Sequence, residues 1–144
     1  MDSIDLAIIA QLKENGRMSN QDLAQAVGLT PAPTMRRIRK LEEDGIITKY
    51  QAVLNDEALG KGFEVLLLAN LSVNNRSTVD RFERQLVAMQ EVVEVRRMFS
   101  QPDYVIRVRV SDALAYENWL VDHFMPLPGI TRVDSHMTMK VLKD

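Results

Sequence analysis

Cysteine is absent from the 144-residue chain, so disulfide bonds, thiolate catalysis and cysteine-ligated zinc sites are excluded. Long apolar runs are absent too, since the longest, residues 65–69, is far short of the roughly 20 residues that span a bilayer. The first residues, Met1 to Ser3, lack the positive charge of a secretory signal. We therefore expect a cytoplasmic protein that makes no contact with a membrane.

An excess of positive charge is also lacking. The formal net charge is −2, which argues against sequence-independent binding of nucleic acids. Residues 1–54 carry seven basic and seven acidic side chains, yet four of the basic ones stand within residues 36–40. A basic surface this short needs two or more copies, presented by an oligomer, to bind DNA with useful affinity.

The stretch from residue 20 to residue 45 has the pattern of a helix-turn-helix. A helix that begins at Pro31 has an apolar packing face and leaves its basic side chains on the opposite face and its flanks. The packing face holds Thr34, Met35, Ile38 and Leu41. Thr30 stands in the N-cap position, and Gly45 ends the helix. Because the second helix of this motif enters the major groove, the pattern predicts a DNA-binding unit.

The expected DNA contacts lie at the start and on the basic face of this helix. Its N-terminal part should lie nearest the base edges, while basic side chains further along hold phosphates and fix the register. The predicted base-proximal residues are Ala32, Pro33 and Arg36, the predicted phosphate contacts are Arg37, Arg39 and Lys40, and Thr30 is a cap that can also reach a phosphate. The alternative is a solvated helix face that pairs with Glu42, Glu43 and Asp44.

Two further helices are expected before this one, over residues 4–15 and 20–27. After it, residues 46–47 and 50–54 predict a short β extension, the small wing of a winged-helix-like unit. Gly60 and Gly62 make residues 55–62 the best candidate for a linker. The predicted division is therefore a helix-turn-helix domain over 1–54, a linker over 55–62 and a second domain over 63–144.

From residue 63 the pattern changes to strand, helix, strand, strand, helix, strand. The strands are expected over residues 63–73, 92–99, 104–110 and 130–142, and the helices over residues 77–89 and 112–124. This order is that of the ferredoxin-like βαββαβ class, so the chain as a whole is predicted to be α+β. Trp119 lies off the apolar stripe of its helix, which predicts an exposed side chain at an oligomer contact.

A sheet of this class carries both helices on one face and leaves the other face uncovered. Apolar side chains on the open face need a partner, and we expect that partner to be a second copy of the same sheet. Back-to-back self-association would place two helix-turn-helix units on one particle. It would thereby supply the bivalency that the charge balance requires.

Several short motifs, taken in their order along the chain, resemble one family. The N-terminal motifs are Asn15-Gly16-Arg17, Gly28-Leu29-Thr30-Pro31, Arg36-Arg37-Ile38-Arg39-Lys40-Leu41-Glu42 and Gly45-Ile46-Ile47. The C-terminal motifs are Asp103-Tyr104, Arg107-Val108, Ala115-Tyr116 and Leu127-Pro128-Gly129. Together they resemble the leucine-responsive and asparagine-responsive regulators of bacteria and archaea, the Lrp/AsnC family, over essentially the whole chain.

The resemblance implies a sequence-specific transcriptional regulator whose dimers often assemble into tetramers or octamers on double-stranded DNA. It also implies an amino-acid effector, bound in a cleft between dimers near the loop that joins the two middle strands. The residues that it assigns to this cleft are Ser100, Gln101, Asp103, Tyr104, Ser135 and His136. The family usually begins this loop with a glycine and an acidic residue, whereas this chain has Ser100 and Gln101 there.

Other interpretations stay open for the same residues. A tight turn between strands uses Pro-Asp for purely conformational reasons, and Tyr104 can pack in the sheet. Certain sirohaem decarboxylases share this two-domain plan and hold a tetrapyrrole with basic and histidine side chains. The residues that keep this enzyme alternative open are Arg96, Arg97, Arg107, Arg109 and His136.

Two more expectations concern metals and DNA compaction. No metal site and no cofactor are expected, because His123 and His136 lie on different predicted elements and no carboxylates cluster at ligand spacing. An architectural protein that compacts DNA with little sequence preference is a third alternative. The acidic overall balance disfavours it.

Overall fold

The computed structural model describes residues 1–72 and 75–142, and the chain divides between Leu54 and Asn55 into two units. Residues 55–62 fall in the second unit. There the Ala58 N–H donates to the Asn55 side chain at 3.0 Å and the Lys61 N–H donates to the Asp56 carbonyl at 2.7 Å, so this segment forms a hydrogen-bonded turn. None of the helices in the described part of the chain has the length and apolar character to span a bilayer.

The first unit consists of three helices. α1 is Ser3–Glu14, α2 is Asn20–Ala26 and α3 is Pro31–Glu43. The side chains of Asp2 and Ser19 cap α1 and α2 by accepting backbone N–H bonds. Thr30 occupies the predicted N-cap position of α3, but its side chain makes no capping hydrogen bond. The third helical position, a usual donor to the cap, is Pro33, which has no N–H.

An apolar core holds the three helices together. Its buried members are Ile8 on α1, Leu23 on α2 and Leu41 on α3. The predicted packing face of α3 is confirmed, since Thr34 is fully buried and Ile38 packs against this core. The Thr34 hydroxyl donates to the Thr30 carbonyl at 2.9 Å, so burial leaves no hydroxyl donor unsatisfied.

The predicted β wing is wrong, because residues 46–54 contain no strand. Gly45 adopts a φ of 69°, the left-handed conformation that ends many helices. The N–H groups of Ile46 and Ile47 then donate to the Leu41 carbonyl at 2.9 and 3.0 Å. The backbone donors that would begin a wing strand close the end of α3 instead.

The second unit is a four-stranded antiparallel sheet in the order β2-β3-β1-β4. The strands are β1, Phe63–Leu71; β2, Val92–Arg97; β3, Tyr104–Val110; and β4, Ile130–Met137. The helices are α4, Arg76–Val87, and α5, Ala113–Trp119. The order of elements along the chain and in the sheet confirms the predicted βαββαβ fold.

Two strands are shorter than expected. β2 ends at Arg97 rather than at residue 99, and β4 ends at Met137 rather than at residue 142. One residue beyond the end of β4, the Thr138 N–H still donates to the Glu64 carbonyl of β1 at 3.0 Å. β1 itself ends at Leu71, and the predicted extension to residue 73 lies outside the described residues.

The helix predicted over residues 112–124 changes type within its length. α5 ends at Trp119 and a π-helical turn, Leu120–Phe124, continues it. The expected exposure of Trp119 is wrong: its side chain is 3% exposed, because it lies three residues after the buried Tyr116 and so on the same face of α5. The π turn that follows places Phe124 on this face too, with its ring centroid 5.4 Å from that of Trp119.

The two faces of the sheet differ as predicted. α4 and α5 cover one face, where Phe82 is fully buried and its ring centroid lies 5.0 Å from that of Tyr104. The other face carries Leu66, Leu68 and Val105 at alternate positions, half-buried or exposed. This open face therefore has an apolar centre.

Candidate functional site

The start of α3 presents polar groups to solvent. Thr30 and Ala32 are exposed and Pro33 is half-buried. Of the first three helical positions, Ala32 is the one with a backbone N–H, because Pro31 and Pro33 have none. That N–H and the Thr30 hydroxyl lie at the end of the helix where the macrodipole attracts anions.

Three basic side chains of α3 are exposed: Arg36, Arg39 and Lys40. Arg36 and Arg39 make no ion pair within residues 1–72 and 75–142. The Lys40 ammonium lies 3.3 Å from the Asp44 carboxylate, but both side chains are more than half exposed. Exposed pairs of this kind are weak and yield readily to a stronger anion.

Arg37 differs from these three residues. One of its guanidinium nitrogens, Nη1, lies 2.8 Å from Asp2 Oδ2 and 2.7 Å from Asp5 Oδ1, both at the start of α1. Hydrogen bonding to Asp5, and then to Asp2, raises the pKa of Arg37. The pKa of Asp2 is lowered by the Asp5 N–H and then by Arg37, and that of Asp5 by the Asp2 N–H and then by Arg37.

Within the first unit, a cavity of about 310 Å³ adjoins α3. Its lining includes Met35, Arg39, Glu42 and Tyr50. The Tyr50 hydroxyl donates to Glu42 Oε1 at 2.8 Å. Burial, followed by this bond to a carboxylate, raises the pKa of Tyr50 to about 12.

The predicted effector loop contains two residues with structural partners. Asp103 Oδ2 accepts the Leu71 N–H at 2.8 Å, and the Asp103 N–H donates to Asn70 Oδ1 at 3.3 Å. Tyr104 is 2% exposed, and its hydroxyl donates to Glu83 Oε1 at 2.6 Å. Burial first, and then that carboxylate, raises the pKa of Tyr104. Both side chains stabilise the sheet in this structure, whereas Ser100 and Gln101 are exposed.

Ser135 and His136 lie on opposite faces of the sheet. The Ser135 hydroxyl is 2.6 Å from the Tyr116 hydroxyl of α5, on the helix-covered face. His136 pairs with Leu66 in the register of β1 and β4 and is exposed. Successive side chains of a strand point to opposite faces, so only His136 belongs to the open face. A second cavity, of about 320 Å³ near His123, is lined by none of the six predicted effector residues.

The four arginines of the decarboxylase alternative lie beside carboxylates. Two of them are paired on the open face, with Arg107 Nη2 3.1 Å from Glu94 Oε2 and Arg109 Nη2 2.8 Å from Glu64 Oε2. Arg109 also pairs with Asp56, and Arg96 with Glu94. Arg97 lies 3.4 Å from Glu83. The charged rim of the open face is therefore occupied by internal ion pairs.

Comparison with known families identifies both units. A winged helix-turn-helix DNA-binding model matches residues 1–48, and the model of the Lrp/AsnC ligand binding domain matches residues 64–144. The second match alone covers more than half of the chain. The chain belongs to the Lrp/AsnC family. The resemblance seen in the sequence is confirmed.

Individual relatives of this Lrp/AsnC regulator agree. It is 36% identical to the Bkd operon transcriptional regulator of Pseudomonas aeruginosa, over 97% of this chain and 92% of that one. It is 31% identical to the leucine-responsive regulatory protein of Escherichia coli, over 99% and 87% of the two chains. These relatives are transcriptional regulators, so the protein is a DNA-binding transcriptional regulator and the decarboxylase alternative gains no support.

Solved structures extend the agreement to three dimensions. An AsnC family regulator from Agrobacterium tumefaciens superposes with a TM-score of 0.93 at 32% identity, covering 100% of this chain and 94% of that one. A transcriptional regulator from Neisseria meningitidis, solved as a complex with L-Met, superposes with a TM-score of 0.95 at 26% identity, covering 100% and 93%. The fold of this Lrp/AsnC regulator is therefore that of its family along the whole described chain.

Sequence reasoning missed Asp2, Asp5 and Tyr50 as neighbours of α3. Asp2 and Asp5 have the three-residue spacing of a capping box, which was the available signal for the start of α1. Their contact with Arg37 had no local signal, because more than 30 residues separate the partners. Tyr50 was assigned to the wing that does not form.

Proposed function

We propose that this Lrp/AsnC regulator binds operator DNA through the N-terminal end and the exposed face of α3. The observation that carries the proposal is that Arg36 and Arg39 are exposed cations with no ion pair in the described residues. A helix with free cations on one face and a buried opposite face suits the major groove. The family's DNA-binding activity supports the same surface.

The individual contacts follow from position along α3. Ala32, Pro33 and Arg36 face the base edges, and Arg36 can donate two hydrogen bonds to a guanine. Arg39 and Lys40, further along, hold phosphates, with the Thr30 hydroxyl at the helix start. Arg37 is left out of this set because Asp2 and Asp5 already hold its guanidinium.

Self-association supplies the second recognition helix. The apolar centre of the open sheet face, with Leu66 and Val105, favours a second copy as its partner. Two α3 helices would then occupy successive major grooves about 34 Å apart. Sedimentation of the full chain at micromolar concentration tests this step, and a monomer would contradict it.

The effector is proposed to be an amino acid that acts from the second unit in the cytoplasm. The L-Met complex of the Neisseria relative supports this class of ligand. In this chain, Ser100 and Gln101 are the exposed residues of the predicted loop and His136 is exposed on the open face. Calorimetric titration of the full chain with the standard amino acids tests the proposal, and no binding heat from any of them would contradict it.

The DNA contacts are tested with Arg36→Ala. The probe is the duplex most enriched from a random-sequence library by the wild-type chain. We expect a loss of about 1–3 kcal/mol in affinity for that duplex and a relaxed preference at one base position. Arg17→Ala, which removes an exposed arginine of the same unit that is not part of α3, should leave the affinity nearly unchanged. Equal affinities of wild type and Arg36→Ala would refute the assignment.

A further inference from the structure

Arg37, Asp2 and Asp5 form a cluster in which every carboxylate oxygen has a partner. Asp2 Oδ1 accepts the N–H groups of Ile4 and Asp5, each at 3.0 Å, and Asp5 Oδ2 accepts the Asp2 N–H at 2.8 Å. These bonds are the reciprocal capping box of α1. The remaining oxygens, Asp2 Oδ2 and Asp5 Oδ1, both contact Arg37 Nη1.

The carboxylates of Asp2 and Asp5 link α1 to α3. One oxygen of each carboxylate orders the first turn of α1, and the other binds a side chain from the middle of α3. Rotation of α3 about its axis would break both arginine contacts together. The cluster therefore fixes the angle at which α3 presents its exposed face.

The charge of the cluster makes Arg37 a poor partner for DNA. One guanidinium lies between two carboxylates, so the cluster is net negative and repels a phosphate. The Arg37 side chain is 32% exposed and that of Asp5 is 14% exposed, so solvent weakens their attraction less than that of the Lys40–Asp44 pair. Arg36 and Arg39, one residue before and two after, have no comparable partner within the described residues.

We propose that Arg37 is a positioning residue that orients α3 for DNA through Asp2 and Asp5 and does not itself contact DNA. The inference rests on the proposed function of α3. It assigns to two acidic residues a supporting role in binding a polyanion. Removing either negative charge should therefore weaken binding to the operator, the opposite of what net charge alone predicts.

Salt dependence separates positioning from contact. The probe is again the duplex most enriched by the wild-type chain, titrated from roughly 50 to 200 mM salt. Arg39→Met, the matched control on the same helix, should lower the slope of log affinity against log salt by about 0.9, since one phosphate contact is lost. Arg37→Met should weaken binding about tenfold, as expected for losing a hydrogen-bonded charged pair, and keep the wild-type slope.

Asp5→Asn is a second test, because net charge alone predicts tighter DNA binding by this variant and the inference predicts weaker binding. Asparagine keeps an oxygen for the Asp2 N–H but loses the charge that binds Arg37. We expect weaker binding to the selected duplex, and a smaller further loss when Arg37→Met is added than Arg37→Met causes alone, because the two changes share the Arg37–Asp5 contact while the Arg37–Asp2 contact is lost only with Arg37. Tighter binding by Asp5→Asn, or a slope lowered by about 0.9 in Arg37→Met, would overturn the inference.

A measurement on the wild-type chain avoids variants that fold poorly. The guanidinium N–H signals of Arg37, followed by NMR, should keep the same chemical shifts in the free protein and in the DNA complex, because the hydrogen bonds to Asp2 and Asp5 persist. Signals that move on DNA binding as far as those of Arg39 would mean that Arg37 leaves the carboxylates for DNA, which contradicts positioning. If the wild-type chain enriches no duplex, both the proposed function and this inference are wrong. If it does enrich a duplex but the protein variants do not behave as expected, only the inference is wrong.

Discussion

Two arginines of α3 and two arginines of the open sheet face have different surroundings. On α3, Arg36 and Arg39 are exposed and have no ion pair within the described residues. On the open face of the sheet, Arg107 and Arg109 keep 30% and 18% of their side-chain surface exposed and lie beside carboxylates. The same residue type is an available cation at Arg36 and Arg39 and a structural cation at Arg107 and Arg109.

Charge counts alone do not separate these roles. The second unit has eleven basic residues against seven in the first, yet the run of four basic residues at 36–40 lies in the first. Register accounts for the difference, because Glu64 stands directly opposite Arg109 and Glu94 opposite Arg107 on neighbouring strands. On α3 the acidic residues lie at the C-terminal end, more than one turn from Arg36. Whether a cation is free for a ligand thus depends on tertiary pairing.

The largest expected effect concerns the packing of the second unit. Phe82 is fully buried, with ring centroids of Tyr104 and Phe124 at 5.0 and 6.2 Å. Phe82→Ala should lower the free energy of unfolding by about 3–5 kcal/mol because it removes buried surface and leaves a cavity. Denaturant unfolding followed by circular dichroism measures the change.

Phe99→Ala is the matched control for that change. Phe99 lies in the turn after β2 and is fully exposed, so its removal should change the free energy of unfolding by less than about 0.5 kcal/mol. Equal effects of the two substitutions would contradict the assignment of the core to the helix-covered face.

An intermediate effect is expected at the open face. Arg109→Met leaves Glu64, whose side chain is 13% exposed, without its main partner. The free energy of unfolding should fall by about 1–3 kcal/mol, less than for a fully buried pair because the site retains contact with water. The salt slope of DNA affinity should stay at its wild-type value.

Arg39→Met should have the opposite effects to Arg109→Met on stability and on the salt slope of DNA affinity. Its side chain is exposed and unpaired within the described residues, so stability should change little while the salt slope falls by about 0.9. A slope change in Arg109→Met, or a large stability loss in Arg39→Met, would break the contrast between the two units.

Local signals predicted most of the fold. Helical periodicity identified the buried face of α3, with Thr34 and Leu41, and strand alternation identified the buried side of β3. The predicted wing does not form because the chain turns at Gly45 and the next two N–H groups donate to the Leu41 carbonyl. The prediction that Trp119 is exposed was wrong because the residue stands three positions after Tyr116, on the same face of α5.

The site was less predictable than the fold for a similar reason. Exposure of Arg36 followed from helical spacing, but the partners of Arg37 lie more than 30 residues earlier in the chain. In the second unit, Asp103 and Tyr104 carry a family motif, yet their contacts with Leu71 and Glu83 depend on the packing of β3 against β1 and α4. Sequence specifies the residue types at a site more directly than it specifies which of them remain free.

The smallest expected effect concerns two surface ion pairs, each between residues four positions apart. Lys40 and Asp44 lie 3.3 Å apart on α3 and its C-cap, and Arg76 and Asp80 lie 3.8 Å apart on α4. Asp44→Asn and Asp80→Asn should each lower the free energy of unfolding by about 0.3–0.5 kcal/mol, the usual contribution of such pairs. Asp44→Asn alone should also tighten binding to the selected duplex, because it frees Lys40 and removes a negative charge from the C-cap of α3, the helix proposed to bind DNA. Equal changes in DNA affinity for both variants would mean that net charge, and not the position of the pair on α3, controls binding.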